Sequence, residues 1–397
     1  MQWLRTLTGR LRGFLRQPRK TISRLLAKTK PLVLVIDRAY PQTDRSSGAL
    51  SIVSHIRIFT DLGYRVVFIA RNPLAESTVY REQLEALGVS CVGPERAASV
   101  DELLEREGAT FAICFLTGVR LGGSFYEKAR SQCSSAKIIF NLGDLHYLRS
   151  GRQAKLLGDE SRMMHVAKTK ERELELVQKA DASVVVSSVE KRILDDAVPG
   201  ARIFHMPLIR ESPGRAGPFR GRSGIGFMGA YFWPPNTDAV RYFLVEIWSL
   251  VRARLPNAQF FIIGADMPEE FAKLSVPGVV SIGYVPDLAE PLARLRLTVA
   301  PLRFGAGAKG KVVSSLGHGV PAVLSEIAAE GMDLVDGKHV LIGRDPAHFA
   351  EQIVRLHEDE ALWNALSESG LARVQKHHSF KAGRARMRKL LAEIQAV

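Results

Sequence analysis

From Pro31 onward, short apolar runs rich in β-branched residues alternate with longer segments whose apolar positions recur at helical spacing. LVLVI (Leu32 to Ile36), RVVFIA (Arg65 to Ala70), FAICF (Phe111 to Phe115), KIIFN (Lys137 to Asn141) and ASVVV (Ala182 to Val186) are apolar at successive positions. Strands read that way when both faces of their sheet are covered, so the five predict a parallel sheet with helices on either side. ESPGRAGPFRGR (Glu211 to Arg222) breaks the pattern with Pro, Gly and Arg and predicts a linker and little else. The alternation then resumes with IGFM (Ile225 to Met228), QFFIIG (Gln259 to Gly264), VVSIG (Val279 to Gly283), LTVAP (Leu297 to Pro301), PAVLS (Pro321 to Ser325) and HVLIG (His339 to Gly343). The expected organisation is two βαβ domains, 31–210 and 223–368, joined by 211–222 and separated by a cleft. Residues 369–397 form a basic helical stretch whose Leu371, Val374, Phe380, Met387, Leu390 and Leu391 are positioned to dock back across both domains.

Composition narrows the possibilities. With 397 residues, 46% of them hydrophobic, the chain is long enough for two cores. The net charge of +14 suggests nucleic acid at first, but nine Lys or Arg and no acid fall within residues 1–30. The excess is a local leader, without the interleaved aromatic platform of a single-strand binder, so no nucleic-acid partner is expected. In that leader Trp3, Leu4, Leu7, Leu11, Phe14 and Leu15 recur near helical spacing, with Arg5, Arg10, Arg12 and Arg16 between them, as far as Pro18. Such a basic amphipathic helix suits an anionic membrane surface; a solvated or partner-bound leader is the alternative. No apolar run approaches the ~20 residues of a spanning helix, and the leader lacks a signal peptide's apolar centre. The expected location is cytoplasmic, peripheral on the inner face of the membrane. Cys91, Cys114 and Cys133 are odd in number and unpaired in spacing, which indicates neither a disulfide framework nor a zinc site.

The densest candidate chemistry is PLRFGAGAKGKVVSSLGHGVPAV (Pro301 to Val323), which follows the strand LTVAP and opens a helix. Gly305, Gly307 and Gly310 let backbone N–H groups approach an anion, and the helix start near Lys309 adds uncapped donors and partial positive charge. Lys309 or Lys311 would neutralise a diphosphate without a metal. Two lysines two residues apart leave a helix start in different directions, so one of them is expected to reach the ligand. The P-loop spacing is missing, as is a G-x-G-x-x-G after the first strand.

In the first domain, DRAYPQTDRSSGALSI places Ser46, Ser47 and Gly48 before a helical pattern, fit either to touch the same diphosphate or simply to cap the helix. Asp37, Arg38, Asp44 and Arg45 in that loop could bind hydroxyls. Asp144 and His146 follow KIIFN at a strand's carboxyl end, where they could orient sugar hydroxyls, move a proton or make a structural contact. Ser187 to Glu190 has the Ser-x-x-Glu spacing of a capping box, a structural role. His377 and His378 lack acidic or cysteine partners, and the cleft segments lack an Asp-x-Asp pair, so no metal is expected.

Together these stretches resemble GT-B-fold glycosyltransferases of family 4, in particular bacterial members that build cell-surface polysaccharides. The resemblance is carried by VIDRAYPQTDRSSG, NLGDLHYLR, FMGAYFWPPNTDAVRYF (Phe227 to Phe243), and the Pro301 to Val323 tract with AAEGM (Ala328 to Met332) behind it. It implies an α/β fold of two Rossmann-like domains facing each other across a cleft. It also implies retaining, metal-independent transfer of a sugar from a nucleoside-diphosphate sugar to a cell-surface glycan or lipid-linked acceptor, with no cofactor. The nucleotide would lie near Gly229, Tyr284 and Val285 of the GYVPD stretch, and Gly305, Ala306, Gly307 and Ser314, with Ser47 and Gly48 opposite and the acceptor mainly on the first domain. Lys309, Lys311, Asp144 and His146 are the implied catalytic set. The chain departs from the pattern at Ala306 and Ser314, where many members carry two glutamates, and at Gly143, near a usual histidine that Asp144 or His146 would replace. A sugar-nucleotide epimerase or hydrolase of the same fold and a non-catalytic scaffold in a polysaccharide assembly complex are the alternatives.

Overall fold

The computed structural model describes residues 30–72 and 78–396, so the proposed membrane contact through residues 1–30 lies, apart from Lys30, outside the described residues. Seven strands make the first sheet: β1 (Leu32–Asp37), β2 (Arg65–Ala70), β3 (Ser90–Cys91), β4 (Phe111–Thr117), β5 (Lys137–Gly143), β6 (Ala182–Val185) and β7 (Ile203–His205). Six make the second: β8 (Gly224–Met228), β9 (Phe260–Ile263), β10 (Val279–Gly283), β11 (Leu295–Ala300), β12 (Ala322–Leu324) and β13 (Leu341–Ile342). The orders are β3-β2-β1-β4-β5-β6-β7 and β10-β9-β8-β11-β12-β13, and every pairing is parallel.

Strand β1 shows why the runs are apolar throughout. Val33 and Val35 face a core containing Ile56 and Phe59, while Leu34 and Ile36 face another containing Leu103 and Phe140. In each sheet the strand order reverses beside the first strand, between β1 and β4 and between β8 and β11. Ligands in open α/β sheets bind beyond the carboxyl ends of the strands at such a reversal. The edge strands β3 and β7, two and three residues long, are too short to stand out in the sequence.

The helices that matter for the site are α1 (Ser47–Asp61), α2 (His146–Leu157), α3 (Met163–Lys179), α4 (Ser188–Ala197), α5 (Pro234–Tyr242), α6 (Gly310–Gly317), α7 (Glu360–His377) and α8 (Phe380–Glu393). The linker does more than connect. Phe219 packs edge-on against Trp363 with ring centroids 5.8 Å apart, the Arg296 guanidinium lies 3.3 Å from the Phe219 centroid, and buried Arg222 donates to the Leu292 and Leu295 carbonyls at 2.8 and 3.0 Å. These contacts fasten it to the second domain.

At its end the chain crosses back. α7 packs beside α6, and α8 places Met387, Leu390 and Leu391 in the core with Val33 and Ile56 of the first domain. His378, at the crossing, is buried with Nδ1 2.7 Å from the Leu208 carbonyl, a contact that ties the crossing to the end of the first domain. Among the described residues, no helix is long and apolar enough to cross a membrane.

Candidate functional site

Beyond β11 the chain passes through the glycine-rich loop and enters α6, with Lys309 in extended conformation as the N-cap and no side chain capping the first turn. The Val312 N–H already donates to the Lys309 carbonyl at 2.9 Å, which leaves the Gly310 and Lys311 N–H groups at the start of the turn to face an anion. Lys309 is buried, and its Nζ donates to the Gly307 carbonyl at 2.5 Å. Lys311 leaves in a different direction: its Nζ donates to Asn236 Oδ1 at 2.6 Å and lies 3.7 Å from the Phe227 ring centroid. Neither ammonium has an ion-pair partner within 4 Å among the described residues. Burial pulls Lys309 down to about 8, against the opposing pull of Glu330, Glu190 and Asp144. Lys311 is held well below its ordinary value by burial and then by Lys309.

Asn236, at the start of α5, also donates to the Ala230 carbonyl at 2.7 Å and crowds Gly229, where an added Cβ would lie 2.7 Å from its Nδ2. The Gly229 turn and Lys311 thus share one anchor. Val285 is half-buried beside Met228 and Ile263. Tyr284 is exposed and reaches across the cleft, its hydroxyl donating to the Asp44 carboxylate, with Arg45 5.3 Å from its ring centroid.

The glycines serve a purpose that their spacing does not disclose. A Cβ on Gly307, whose φ is +66°, would sit 2.9 Å from Asp144 Cβ; one on Gly310 would sit 1.9 Å from Ser47 Oγ, and one on Gly331 1.9 Å from Ser187 Oγ. All three second-domain glycines touch the first domain. They allow the two domains to close on each other, and any ligand-binding role is additional to that. Gly305 contributes its carbonyl, which accepts from Arg152 Nη1 at 2.8 Å, while the Arg152 guanidinium makes a two-pronged pair with Glu330 at 2.8 and 2.8 Å.

On the first domain, Ser46 is the N-cap of α1, accepting from the Ala49 N–H at 3.4 Å. Ser47 and Gly48 form the first turn and remain exposed, with Ser47 against Gly310. The N-termini of α1 and α6 therefore meet across the cleft, at a point open to solvent on one side.

Asp144 pairs with Arg149 and lies 3.4 Å from His146 Nε2. Burial pushes His146 below its ordinary value, so the imidazole is neutral near pH 7. Leu145 and His146 begin α2 without a side-chain cap of their own. Glu173 on α3 accepts from the His146 and Tyr147 N–H groups at 2.9 and 3.1 Å, and Glu190 on α4 accepts from Leu145 N–H at 2.9 Å. Burial pushes Glu173 up to about 7; burial and then Asp144 push Glu190 up to about 8.

Glu190 corrects the capping-box assignment. Ser187 does cap α4, accepting from the Glu190 N–H at 3.3 Å, but the glutamate side chain does not turn back to complete the box. It crosses the cleft and accepts the Gly307 N–H at 2.8 Å. Ala306 is buried next to that contact, so a carboxyl group reaches this part of the loop from the opposite domain. Ser314 lies half-buried on α6, its carbonyl 2.8 Å from His318 Nδ1. Asp37, pushed up to about 6 by burial, ends β1 and accepts from the Arg38 N–H at 2.7 Å.

Besides Glu190, sequence reasoning missed Arg152, Glu330, Glu173 and Arg210, whose Nη2 donates to Ser47 Oγ at 2.7 Å. Charged residues ordinarily read as solvated, whether on helices, as Arg152 and Glu173 are, or in loops and turns, as Arg210 and Glu330 are; their burial depends on the approach of another element. A groove of about 410 Å³ between the domains is lined by residues including Ser188, Arg192, Glu330, Asp333 and Arg344. A larger one, about 560 Å³, lies between α3 and the end of α4, at the amino-terminal edge of the sheet and away from this chemistry.

Residues 222–359, about a third of the chain, match the family model described as Glycosyl transferases group 1. No curated protein matches the chain in sequence. Among solved structures it is similar to sucrose-phosphate synthase from Thermosynechococcus elongatus, with 14% identity, a TM-score of 0.72, and 93% of this chain and 100% of that one covered. It is similar to TarM, from S. aureus, with 11% identity, a TM-score of 0.73 and coverage of 92% and 99%. It is also similar to HepE from Anabaena, solved in complex with UDP-glucose, with 10% identity, a TM-score of 0.65 and coverage of 91% and 99%. At these identities the likeness establishes the fold: two Rossmann-like α/β domains facing each other across a cleft, the GT-B arrangement of glycosyltransferases.

Proposed function

We propose that the protein is a glycosyltransferase that moves a sugar from a nucleoside-diphosphate sugar to a hydroxyl of a cell-surface glycan or lipid-linked acceptor, with retention of configuration and no bound metal. One observation carries this: Lys309 and Lys311, both without ion-pair partners, flank the uncapped N-terminus of α6 where it meets the N-terminus of α1. A buried cation such as Lys309 and aligned N–H donors are stable together when they share an anion. A diphosphate suits a site of this charge, and the HepE complex with UDP-glucose makes UDP-sugars the first donors to try.

In this mechanism the α6 N–H groups and Lys309 stabilise charge developing on the leaving diphosphate, a contribution of about 3–4 kcal/mol per preorganised donor. Lys311, through Asn236, fixes the Gly229 turn toward the nucleotide. His146, neutral and held by Asp144, orients a sugar hydroxyl, and the acceptor proton passes to the leaving phosphate. Closure at Gly307, Gly310 and Gly331 excludes water, whose attack on the donor competes with transfer. The polar groove between the domains is the acceptor's approach. Residues 1–30 hold the enzyme at an anionic membrane surface on the cytoplasmic side.

The test is transfer from isotopically labelled nucleoside-diphosphate sugars to a membrane glycolipid extract, with chelator present throughout. A labelled product of retained anomeric configuration supports the proposal; donor binding without transfer to any acceptor points to the scaffold.

A further inference from the structure

Resting on the diphosphate assignment above, we propose that Arg210 is a second anion-binding cation, supplied from the end of the first domain and gripping the phosphate groups from the side opposite Lys309. Arg210 is 5% exposed. Its own N–H donates to the His378 carbonyl and Nη1 to the Ile209 carbonyl, both at 2.8 Å, so the residue is anchored where α8 crosses back. Nη2 reaches the first turn of α1, donating to the Ser47 carbonyl at 2.9 Å, Ser47 Oγ at 2.7 Å and Ser51 Oγ at 3.2 Å. Nε is buried and has no partner.

Every acceptor of this guanidinium is neutral, and among the described residues no carboxylate lies within ion-pair distance. Its surroundings are unfavourable to a cation. It sits at the N-terminus of α1, the positive end of that helix, and Nη2 is 3.6 Å from the Cβ position of Gly310, the first residue of α6. Two positive helix ends and Arg210 are thus gathered in one place. Burial pulls Arg210 down to about 10, and burial and then the Arg210 charge lower the neighbouring His55. Breaking a buried charge pair is costly because it leaves such a charge behind. A bound anion resolves the conflict, and a guanidinium's planar donors match phosphate oxygens two at a time.

Access follows from the same contacts. Ser47 is exposed, and its hydroxyl occupies the narrow space beside Gly310 while donating nothing to an acid. An anion enters as the domains part there, replaces the Ser47 hydroxyl as the acceptor for Arg210, and takes up the free Nε–H. The ligand class is a diphosphate, either free or within a nucleoside diphosphate.

Calorimetric titration of the full chain with inorganic pyrophosphate, and separately with a panel of nucleoside diphosphates, tests this in wild type, Arg210→Met and Arg210→Lys. Arg210→Met is expected to bind pyrophosphate about ten- to a hundredfold more weakly, with Arg210→Lys in between. The melting temperature of ligand-free Arg210→Met is expected to equal or exceed that of wild type, because an unpaired buried charge is gone. Undiminished affinity in Arg210→Met, or a lower melting temperature with an unchanged ligand-induced shift, overturns the proposal. Should Arg210→Met fail to fold, Arg210→Lys binding as tightly as wild type also overturns it. Arg210-dependent binding of pyrophosphate without binding of any nucleoside diphosphate upholds Arg210 and removes the sugar-transfer function. Nucleotide binding that is equal in all three proteins does the reverse.

Discussion

Glu190 of the first domain accepts the Gly307 N–H of the second at 2.8 Å, and the same carboxylate oxygen accepts the Leu145 N–H at 2.9 Å. One side chain thus joins the glycine-rich loop to the start of α2, while its other oxygen is buried without a partner. The closed arrangement of the domains therefore depends in part on a carboxyl group that burial holds far above its ordinary range.

That dependence has a direction in pH. Glu190 and Glu173, raised from 4.5 to about 8 and about 7, hold protons in the folded chain that the unfolded chain has released. Their contribution is intact below about pH 4.5 and is lost as pH rises toward 8. Lys309, lowered from 10.5 to about 8, acts only above that window and with the opposite sign. Glu190→Gln should flatten the fall, so that the variant gains on wild type with rising pH. Urea unfolding of both proteins at about pH 5, 6.5 and 8 measures it, and parallel profiles count against the assignment.

The two lysines should separate when mutated. Lys309→Ala removes a buried cation at the N-cap of α6 and is expected to lower turnover about a hundredfold. Lys311→Ala deprives Asn236 Oδ1 of its donor and loosens the Gly229 turn, so donor KM should rise more than turnover falls. Steady-state kinetics on both variants decides, and wild-type rates in both would remove the lysines from the mechanism.

Closure at the α1–α6 junction depends on an absent side chain. Gly310→Ala places a methyl group 1.9 Å from Ser47 Oγ and 2.7 Å from Ser47 Cβ, so the domains must separate. Small-angle scattering should show a larger radius of gyration for this variant and a return toward wild type in Ser47→Gly/Gly310→Ala. An unchanged radius in the single variant contradicts the contact.

The Arg152–Glu330 pair is two-pronged, partly buried and spans the domains. A double-mutant cycle with Arg152→Ala and Glu330→Ala should give a coupling energy of about 0.5–3 kcal/mol, read by chemical unfolding. Additive effects would mean that the pair contributes nothing to holding the closed form.

Both parallel sheets were legible because a strand covered on two faces is apolar at successive positions, as β1 is. β3 and β7 were not, since two or three residues carry no period. The N-terminal turn of α6 could be located from its glycines and lysines, but the contacts of Gly307, Gly310 and Gly331 with the other domain leave no local trace. Glu190 was hidden for a related reason: a capping box accounts for Ser-x-x-Glu in full until the loop of a distant domain supplies a better donor. Arg210 ends an apolar run next to the linker, where an arginine ordinarily reads as solvated. Its burial is decided by the return of α8, more than 160 residues later in the chain.

The most direct measurement is the melting temperature of the full chain with a panel of nucleoside diphosphates and their sugars, with and without chelator. One nucleotide class should raise it, corresponding to about 2.7 kcal/mol at a hundredfold excess over its dissociation constant, with chelator present and not in Lys309→Ala. No shift with any nucleotide, or one that Lys309→Ala leaves intact, contradicts the account of this cleft as a diphosphate-binding transferase site.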